Sequence, residues 1–490
     1  MAKKFYITTS IAYVNAAPHI GFALELVQAD VLARYHRLLG DDVFFLTGTD
    51  EHGLKIAQTA KKNNKEPKDF VDEVSEKFKK LTSLLNISND DFIRTSDKKR
   101  HFPAVEKVWL KLLEKGDIYK KKYKGLYCSG CEAFLQEKDL VDGKCPFHQK
   151  EPEVVEEENY FFRLSKYSSQ IRKVLENKEV EIIPEKRRNE VLYFIEQGLE
   201  DVSCSRPKEK VDWGIPVPND SNQIIYVWFD ALINYISALG YGSENKEFLK
   251  KYWPADVHCI GKDILRFHSL LWLGILFSLG LKLPKKILIH GFINVEGKKM
   301  SKSLGNVIDP FELIEKYGSE AVRYFLLKEV PSTEDGDFSY QKFEDRYNSD
   351  LANGLGNLVS RVRVMAENYL KTQDAKLETV VQSVEVQRKI EESKKKFQDF
   401  LENFKFNESL KAVWELVNFS DRYIEKERPW EKKENSQNVL SDLLAILDNI
   451  SQMLEPFLTK TAENIKKEIE LEESGKEFVK KERSKLFLRI

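Results

Sequence analysis

Two short segments, far apart in the sequence, carry residue types suited to binding a chain of phosphates. The segment Lys299-Met300-Ser301-Lys302-Ser303 offers lysines as mobile positive charges and serines as small hydroxyl donors. The segment Pro18-His19-Ile20-Gly21 stands where the apolar run 5–9 gives way to a helical pattern. A turn from strand to helix points unpaired backbone N–H groups at an anion. Either segment alone is also typical of a solvated loop, but together they predict nucleotide binding.

A second group of residues has the spacing of a metal site. The segments Cys128-Ser129-Gly130-Cys131 and Cys145-Pro146-Phe147-His148 form a C-x₂-C and C-x₂-H pair. Such paired knuckles supply four ligands that close tetrahedrally around one zinc ion. Because the protein fills every ligand position, the pattern predicts a structural zinc and not a catalytic one. The intervening residues 135–143 have the length of a small hairpin. The alternative is a coincidental set of buried cysteines.

The length, charge and composition of the chain limit the classes of protein to which it can belong. A chain of 490 residues predicts about three domains. The formal net charge of −1 excludes a global basic field, so any nucleic-acid-binding surface must be a local patch. No apolar stretch is long enough to cross a bilayer. The five cysteines suit a reducing compartment and the start of the chain lacks a signal-peptide pattern, so we expect a cytoplasmic protein.

The elements that must position these segments change in character along the chain. Alternating strand and helix patterns over 1–115 and 228–292 predict two halves of a doubly wound, parallel α/β sheet. The region 116–227, rich in turns, acidic runs and cysteines, interrupts that pattern and is predicted to be an insertion. The region 293–340 carries the lysine-serine loop and a connecting segment. The region 341–490 is predicted to be an all-α bundle, with helices over Leu351–Leu370, Val386–Phe404, Leu410–Glu425 and Val439–Leu454.

The two phosphate-binding segments resemble the HIGH and KMSKS signatures of class I aminoacyl-tRNA synthetases. Further segments narrow the resemblance to the methionyl-tRNA synthetase family: Ile11–Asn15, Gly48–Gly53, Tyr226–Ala231, Gly261–Ile264 and Phe267–Ser269. The resemblance extends over essentially the whole chain. It implies a Rossmann-like catalytic domain with a zinc-binding insertion, followed by a helical anticodon-binding domain.

The resemblance implies a methionine–tRNA ligase. Such an enzyme activates L-methionine with ATP and Mg²⁺, releases pyrophosphate, and transfers methionine to the 3′ end of tRNA(Met). The implied partners are methionine, ATP and tRNA, the implied metals are one structural Zn²⁺ and Mg²⁺ with ATP, and a monomer is expected. Two alternatives remain. An isoleucine, valine or leucine ligase would carry a far longer insertion, and a catalytically inactive tRNA-binding paralogue would fit Phe22, which stands where a second motif histidine is expected.

The resemblance also assigns site residues, position by position. The residues implied in catalysis are His19, Lys299 and Lys302. Those implied in ATP binding are His19, Gly21, Glu25, Gly261, Asp263, Lys299, Ser301 and Lys302. Those implied in methionine binding are Ile11, Ala12, Tyr13, Asp50, Trp228, Ala231, Tyr235 and His268, with Asp50 receiving the substrate ammonium group. Those implied in anticodon binding are Asn357, Arg361 and Trp430. An apolar, aromatic pocket suits a polarizable thioether, and an exposed tryptophan can stack on a splayed base.

Overall fold

A computed structural model describes residues 2–490, except for 131–132, 136, 147–148, 302–304, 374–375, 432, 473–474 and 479–485. The strands of the described part are, in chain order, β1 Lys4–Thr9, β2 Ala12–Tyr13, β3 Asp42–Asp50, β4 Asp91–Arg94, β5 Ile118–Cys128, β6 Ala133–Leu135, β7 Glu153–Phe162, β8 Glu181–Ile183, β9 Val202–Ser203, β10 Ser205–Pro207, β11 Pro216–Val217, β12 Asp220–Ile225, β13 Val257–Gly261, β14 Lys286–His290, β15 Ile293–Val295, β16 Lys298–Lys299 and β17 Gly336–Phe338.

The helices follow in the same order. They are α1 Ile20–Leu38, α2 Leu54–Lys62, α3 Pro67–Leu84, α4 Phe102–Glu114, α5 Ser168–Glu176, α6 Glu185–Glu196, α7 Val227–Leu232, α8 Asn234–Ser237, α9 Glu247–Tyr252, α10 Trp272–Leu279, α11 Pro310–Tyr317, α12 Ser319–Lys328, α13 Tyr340–Arg346, α14 Asn357–Thr372, α15 Val384–Glu402, α16 Phe406–Glu427, α17 Ser436–Leu454 and α18 Thr459–Ile469. Two further segments, Phe267–Leu271 and Tyr347–Gly356, are π-helical.

The chain divides into two compact units. Unit 1 comprises Met1–Pro18, His36–Ser83 and Ile87–His290, and unit 2 comprises His19–Tyr35, Leu84–Asn86 and Gly291–Ile490. Within the described residues, no helix is long and apolar enough to cross a membrane.

Unit 1 is built on a seven-stranded sheet in the order β2-β3-β1-β13-β14-β8, with β4 also paired to β3. Every pairing in this sheet is parallel. The prediction of a parallel sheet is therefore confirmed. Its strands are continuous apolar runs, such as Ile287-Leu288-Ile289 in β14, all fully buried. Such runs are expected when both faces of a parallel sheet are covered.

The region 116–227, predicted to be an insertion, contains two small sheets, in the orders β6-β5-β7-β9 and β10-β12-β11, and also supplies strand β8 of the seven-stranded sheet. In the described part of residues 135–144, where a small hairpin was expected, Val141 and Lys144 form an antiparallel bridge. Asp142 and Gly143 both have positive φ, 50° and 73°, as a two-residue hairpin turn requires. The residues Glu137–Asp139 form a 3₁₀ turn in place of a longer strand.

Unit 2 contains most of α1, a small sheet in the order β16-β15-β17, and the helices α11–α18. The four predicted C-terminal helices correspond to α14, α15, α16 and α17, so the helical prediction is confirmed. Their apolar residues recur at helical spacing and are buried, for example Leu410, Val413 and Leu416 on α16. The remaining helix α18 follows a turn after α17.

Candidate functional site

The predicted methionine-site residues near the N-terminus of unit 1 lie at the carboxyl end of strand β3. The register pairs Ala12 with Thr49 and Tyr13 with Asp50. Ligands of parallel sheets bind beyond the carboxyl ends of the strands. Asp50 is 4% exposed, and Ile11 and Tyr13 are partly buried against the apolar core of unit 1. The structure therefore places a carboxylate next to an aromatic ring at the expected edge.

The predicted methionine-site residues from the second half of unit 1 lie on α7, on α8 and in the π-helical segment Phe267–Leu271. The ring of Trp228, on α7, is stacked on Phe267 with centroids 4.0 Å apart and planes 6° apart. Tyr235, on α8, lies with its hydroxyl 2.7 Å from His268 Nε2. Ala231 is 3% exposed on α7. Trp228 and Tyr235 belong to, or pack against, the same apolar core as Ile11 and Tyr13.

The hydrogen bonds of His268 define which nitrogen carries the proton. Its Nδ1 lies 3.0 Å from the Ile264 carbonyl oxygen, which can only accept. Nδ1 therefore donates, and in the neutral ring Nε2 accepts the hydroxyl proton of Tyr235. His268 lies in the π-helical segment Phe267–Leu271. Such segments are rare and occur frequently at functional sites.

Two predicted ATP-site residues lie at the end of strand β13. Gly261 ends the strand opposite His290, and Asp263 lies in the 3₁₀ turn Lys262–Ile264. A Cβ atom on Gly261 would lie 2.8 Å from Asp263 Oδ1. Only glycine therefore allows this carboxylate to approach the strand end so closely.

The predicted catalytic histidine of unit 2 lies at the start of helix α1. His19 is exposed, and its Nδ1 accepts a hydrogen bond of 3.1 Å from the Gly21 backbone N–H. In a neutral ring, the proton is then on Nε2. Glu25 is buried further along α1, and Phe22 is buried with 9% exposure.

The lysine-serine loop lies against this helix start within unit 2. A Cβ atom on Gly21 would lie 3.9 Å from Met300 Cε and 2.9 Å from His19 Cε1. The loop is shaped by Asn306, whose side chain accepts from the Ser301 N–H at 2.9 Å and donates to the Lys299 carbonyl at 3.2 Å. Lys299 is exposed, with Nζ 5.7 Å from the Phe292 ring centroid. Lys302 lies outside the described residues.

The predicted zinc ligands are only partly described. Cys128 ends strand β5 and is 4% exposed, and Cys145 is fully buried. The loop after Cys145 is closed by two hydrogen bonds, from Gln149 N to Cys145 O and from Cys145 N to Lys150 O. Buried cysteine sulfur atoms fit the donor chemistry of zinc. Cys131 and His148 lie outside the described residues, and the described ones bring together no group of three possible metal ligands.

The predicted anticodon residues lie in the helical part of unit 2. Asn357 and Arg361 are one helical turn apart on α14. The Arg361 guanidinium carbon lies 6.0 Å from the Trp430 ring centroid, and Trp430 is 50% exposed. Arg361 is also paired with Glu425 and lies 3.8 Å from Asp421. The structure therefore brings together an exposed aromatic face and a guanidinium group, which suits contact with a base.

Sequence reasoning missed several residues next to the predicted methionine-site residues. Phe267, stacked on Trp228, stood inside a recognised motif but had no assigned role. Glu51 is fully buried and receives a two-pronged ion pair from Arg94, at 2.7 and 2.9 Å. The acidic run Asp50-Glu51 was the available signal, since a buried carboxylate must be paired. Nothing in the local sequence marks Arg94 as the partner.

Comparisons with known proteins extend over both units. The family model described as tRNA synthetases class I (M) matches residues 5–151 and 137–363, and the model described as anticodon-binding domain of tRNA ligase matches residues 385–486. The methionine–tRNA ligase of Caldanaerobacter subterraneus subsp. tengcongensis is 46% identical over 475 residues, or 94% of this chain and 73% of that protein. The methionine–tRNA ligase of Thermotoga maritima is 43% identical over 481 residues, which is 96% of this chain and 76% of that protein.

A solved structure is similar over nearly the same length. It is Mycobacterium tuberculosis methionyl-tRNA synthetase in complex with methionyl-adenylate, with a TM-score of 0.88 and 37% sequence identity. The similarity covers 94% of this chain and 93% of that one.

Proposed function

The chain belongs to the methionyl-tRNA synthetase family of class I aminoacyl-tRNA synthetases, and from this membership we infer that it is a methionine–tRNA ligase. It activates L-methionine with ATP and then charges tRNA. The observation that carries this conclusion is identity of 43–46% to methionine–tRNA ligases over about 95% of the chain. The comparisons lend no support to an inactive paralogue or to a ligase for a branched amino acid.

The reaction has two steps. A carboxylate oxygen of methionine attacks the α-phosphorus of ATP, the bond to the bridging oxygen breaks, and pyrophosphate leaves. A terminal ribose hydroxyl of the tRNA then attacks the carbonyl carbon of the adenylate, and AMP leaves. Negative charge builds up on phosphate oxygens in the first step, so positioned cationic and N–H donors accelerate it.

We propose that His19, Lys299 and Lys302 supply these donors. The proposal is supported by the hydrogen bond from Gly21 N–H to His19 Nδ1, which leaves Nε2–H as the donor toward a phosphate oxygen. The Met300 side chain, whose Cε would lie 3.9 Å from a Cβ atom placed on Gly21, lies near the helix start and supports a shared phosphate site within unit 2. Glu25, Gly261 and Asp263 are proposed contacts of the ribose and adenine, and Ser301 of the phosphates. Magnesium, bound with ATP, would neutralise phosphate charge.

We propose that methionine binds at the carboxyl edge of the unit 1 sheet. Asp50 would pair with the substrate ammonium group, beside Tyr13. The remaining contacts would be apolar or aromatic, from Ile11, Ala12, Trp228, Ala231, Tyr235 and His268. Thioether–aromatic contacts are individually modest, so selectivity would come from the combined shape and from the hydrogen bond between Tyr235 and His268.

The finer points of metal, tRNA and assembly are also proposals. Cys128, Cys131, Cys145 and His148 would hold one structural zinc in the inserted region, supported by the two buried thiols. Asn357, Arg361 and Trp430 would read the anticodon of tRNA(Met). We propose that the protein acts as a monomer in the cytoplasm.

The direct test is methionine-dependent exchange of pyrophosphate into ATP, without tRNA. We expect exchange with methionine, and a rate of exchange at least a hundredfold lower with isoleucine, valine or leucine. The branched side chains of these amino acids differ in shape from the unbranched side chain of methionine, for which the pocket is formed. Charging of a tRNA with a CAU anticodon should exceed charging of the same tRNA with an altered anticodon. No exchange from folded, metal-replete protein would overturn the assignment as an active ligase.

A further inference from the structure

A buried carboxylate links three elements around the proposed methionine site. Asp230 lies on α7, is fully buried, and has both oxygens hydrogen-bonded to histidines. Its Oδ2 lies 2.6 Å from His52 Nδ1, and its Oδ1 lies 2.7 Å from His101 Nε2. His52 follows the end of β3, and His101 precedes the first residue of α4. No step of the reaction described above uses any of the three side chains.

The network extends one residue further and is closed to water. His101 Nδ1 lies 2.8 Å from the hydroxyl of Ser237, on α8. His101 is fully buried and His52 is 2% exposed. With the carboxylate ionised, both histidines donate to it, and in a neutral His101 ring Nδ1 accepts the hydroxyl proton of Ser237. Every hydrogen bond of this side-chain network thus joins groups that water cannot reach, and hydrogen bonds are strongest in such an environment.

The charge on Asp230 is stabilised in this environment. Burial alone would raise the pKa of Asp230, but the interactions with His52 and His101 outweigh it and hold this pKa below its ordinary value. Removing one partner of such a buried network costs far more than removing a surface contact, because the other groups stay buried. The folded protein therefore favours the ionised form of Asp230.

The position of the network relates it to substrate binding. Asp230 lies between Trp228 and Ala231 on the same short helix, and His52 lies two residues after Asp50. The carboxylate therefore ties the helix with two proposed side-chain contacts to the strand end with the proposed ammonium contact. The His52 ring is itself fixed by edge-to-face contacts with Phe102 and Trp213, at 5.7 and 5.6 Å.

We propose that Asp230, through His52 and His101, is a positioning residue that sets the affinity of the enzyme for methionine. It contacts no substrate. It fixes the distance between the apolar part of the site and the carboxylate that receives the ammonium group, and a shift of about 1 Å in such a distance costs about two orders of magnitude in efficiency. This inference rests on the proposed function, because it concerns the same site.

The test compares Asp230→Ala and Asp230→Asn in the full chain. The readouts are the KM values for methionine and ATP and the kcat of pyrophosphate exchange, with the methionine Kd from calorimetry. We expect Asp230→Ala to raise the methionine KM and Kd at least tenfold and to change the ATP KM less than twofold. Asp230→Asn should stay within about fivefold of wild type. Its amide can accept from His52 and donate to His101, because Ser237 can accept as well as donate.

The matched control is Asp117→Ala. Asp117 is also fully buried, and its carboxylate accepts from Lys166, Ser278 and Tyr167, at 2.6, 2.7 and 2.5 Å. We expect this variant to lose stability in urea without a change in methionine KM. If both alanine variants raise the methionine KM equally, or if Asp230→Ala leaves it unchanged, the positioning role is refuted.

Two variants of His101 provide a second test if Asp230→Ala does not fold. His101→Gln retains an N–H donor toward Asp230, whereas His101→Leu removes it. We expect a raised methionine KM only in the leucine variant, and equal values in the two would refute the inference. Absence of methionine-dependent exchange in wild type would instead overturn the proposed function, so the two failures are distinguishable.

Discussion

Replacing Tyr235 by phenylalanine removes one hydroxyl group and keeps the ring. Tyr235 is 1% exposed, and its hydroxyl lies 2.7 Å from His268 Nε2. His268 Nδ1 donates to the Ile264 carbonyl at 3.0 Å, so its Nε2 is the acceptor. The substitution therefore removes a donor from a buried acceptor and changes little else in the proposed methionine site.

The expected size of the effect follows from this burial. Loss of the partner of a buried polar group costs about 1–3 kcal/mol. In the empty site, water can enter and donate to Nε2 in place of the tyrosine, but a bound apolar side chain excludes that water. The cost therefore falls mainly on the methionine-bound state. At about 1.4 kcal/mol for a factor of ten, the methionine KM should rise roughly 5- to 150-fold.

The assay is pyrophosphate exchange, first with methionine varied at saturating ATP and then with ATP varied at saturating methionine. The ATP KM should change less than twofold. Tyr423→Phe is the matched control, because the Tyr423 hydroxyl is also buried and donates to Asp442 Oδ2 at 2.8 Å, within the helical part of unit 2. Without methionine, Tyr235→Phe should lose less free energy of unfolding in urea than Tyr423→Phe, because water can replace the lost donor in the empty site. A methionine KM equal to that of wild type in Tyr235→Phe would show that this hydrogen bond does not support substrate binding.

Three further predictions concern the loop, the metal and the anticodon. Lys302→Ala should raise the activation free energy of pyrophosphate exchange by about 2–4 kcal/mol, because the lysine charge is needed where negative charge develops on the phosphate. A near wild-type rate would show that Lys302 has no role in the mechanism. Elemental analysis of unchelated protein should give one zinc per chain, and Cys145→Ser should lose it, with aminoacylation failing before adenylate formation; metal-free protein with full activity would contradict the site. Trp430→Ala should reduce tRNA charging by about one to two orders of magnitude and leave pyrophosphate exchange intact. The reason is that one base–aromatic stack contributes about 1–3 kcal/mol. Asn357→Ala should act in the same way, and equal losses in both activities would make Trp430 a packing residue.

Much of the architecture was predictable from local patterns. The apolar runs of β1, β13 and β14 indicated buried parallel strands, and the periodicity of apolar residues indicated the helices α14 to α17. Both signals are local, because they depend on the repeat of a strand or a helix. The two phosphate-binding segments were also recognisable, since their chemistry lies within a few consecutive residues.

The arrangement of the site was decided only by tertiary structure. Asp230 meets its histidine partners 178 and 129 positions away in the sequence, and no periodicity connects them. The proton position on His268 depends on the Ile264 carbonyl that the π-helical segment presents to it. Buried polar groups must find partners wherever packing brings them. The sequence alone determined which residues could do the chemistry, whereas folding of the sheet and its helices determined which of them face one another.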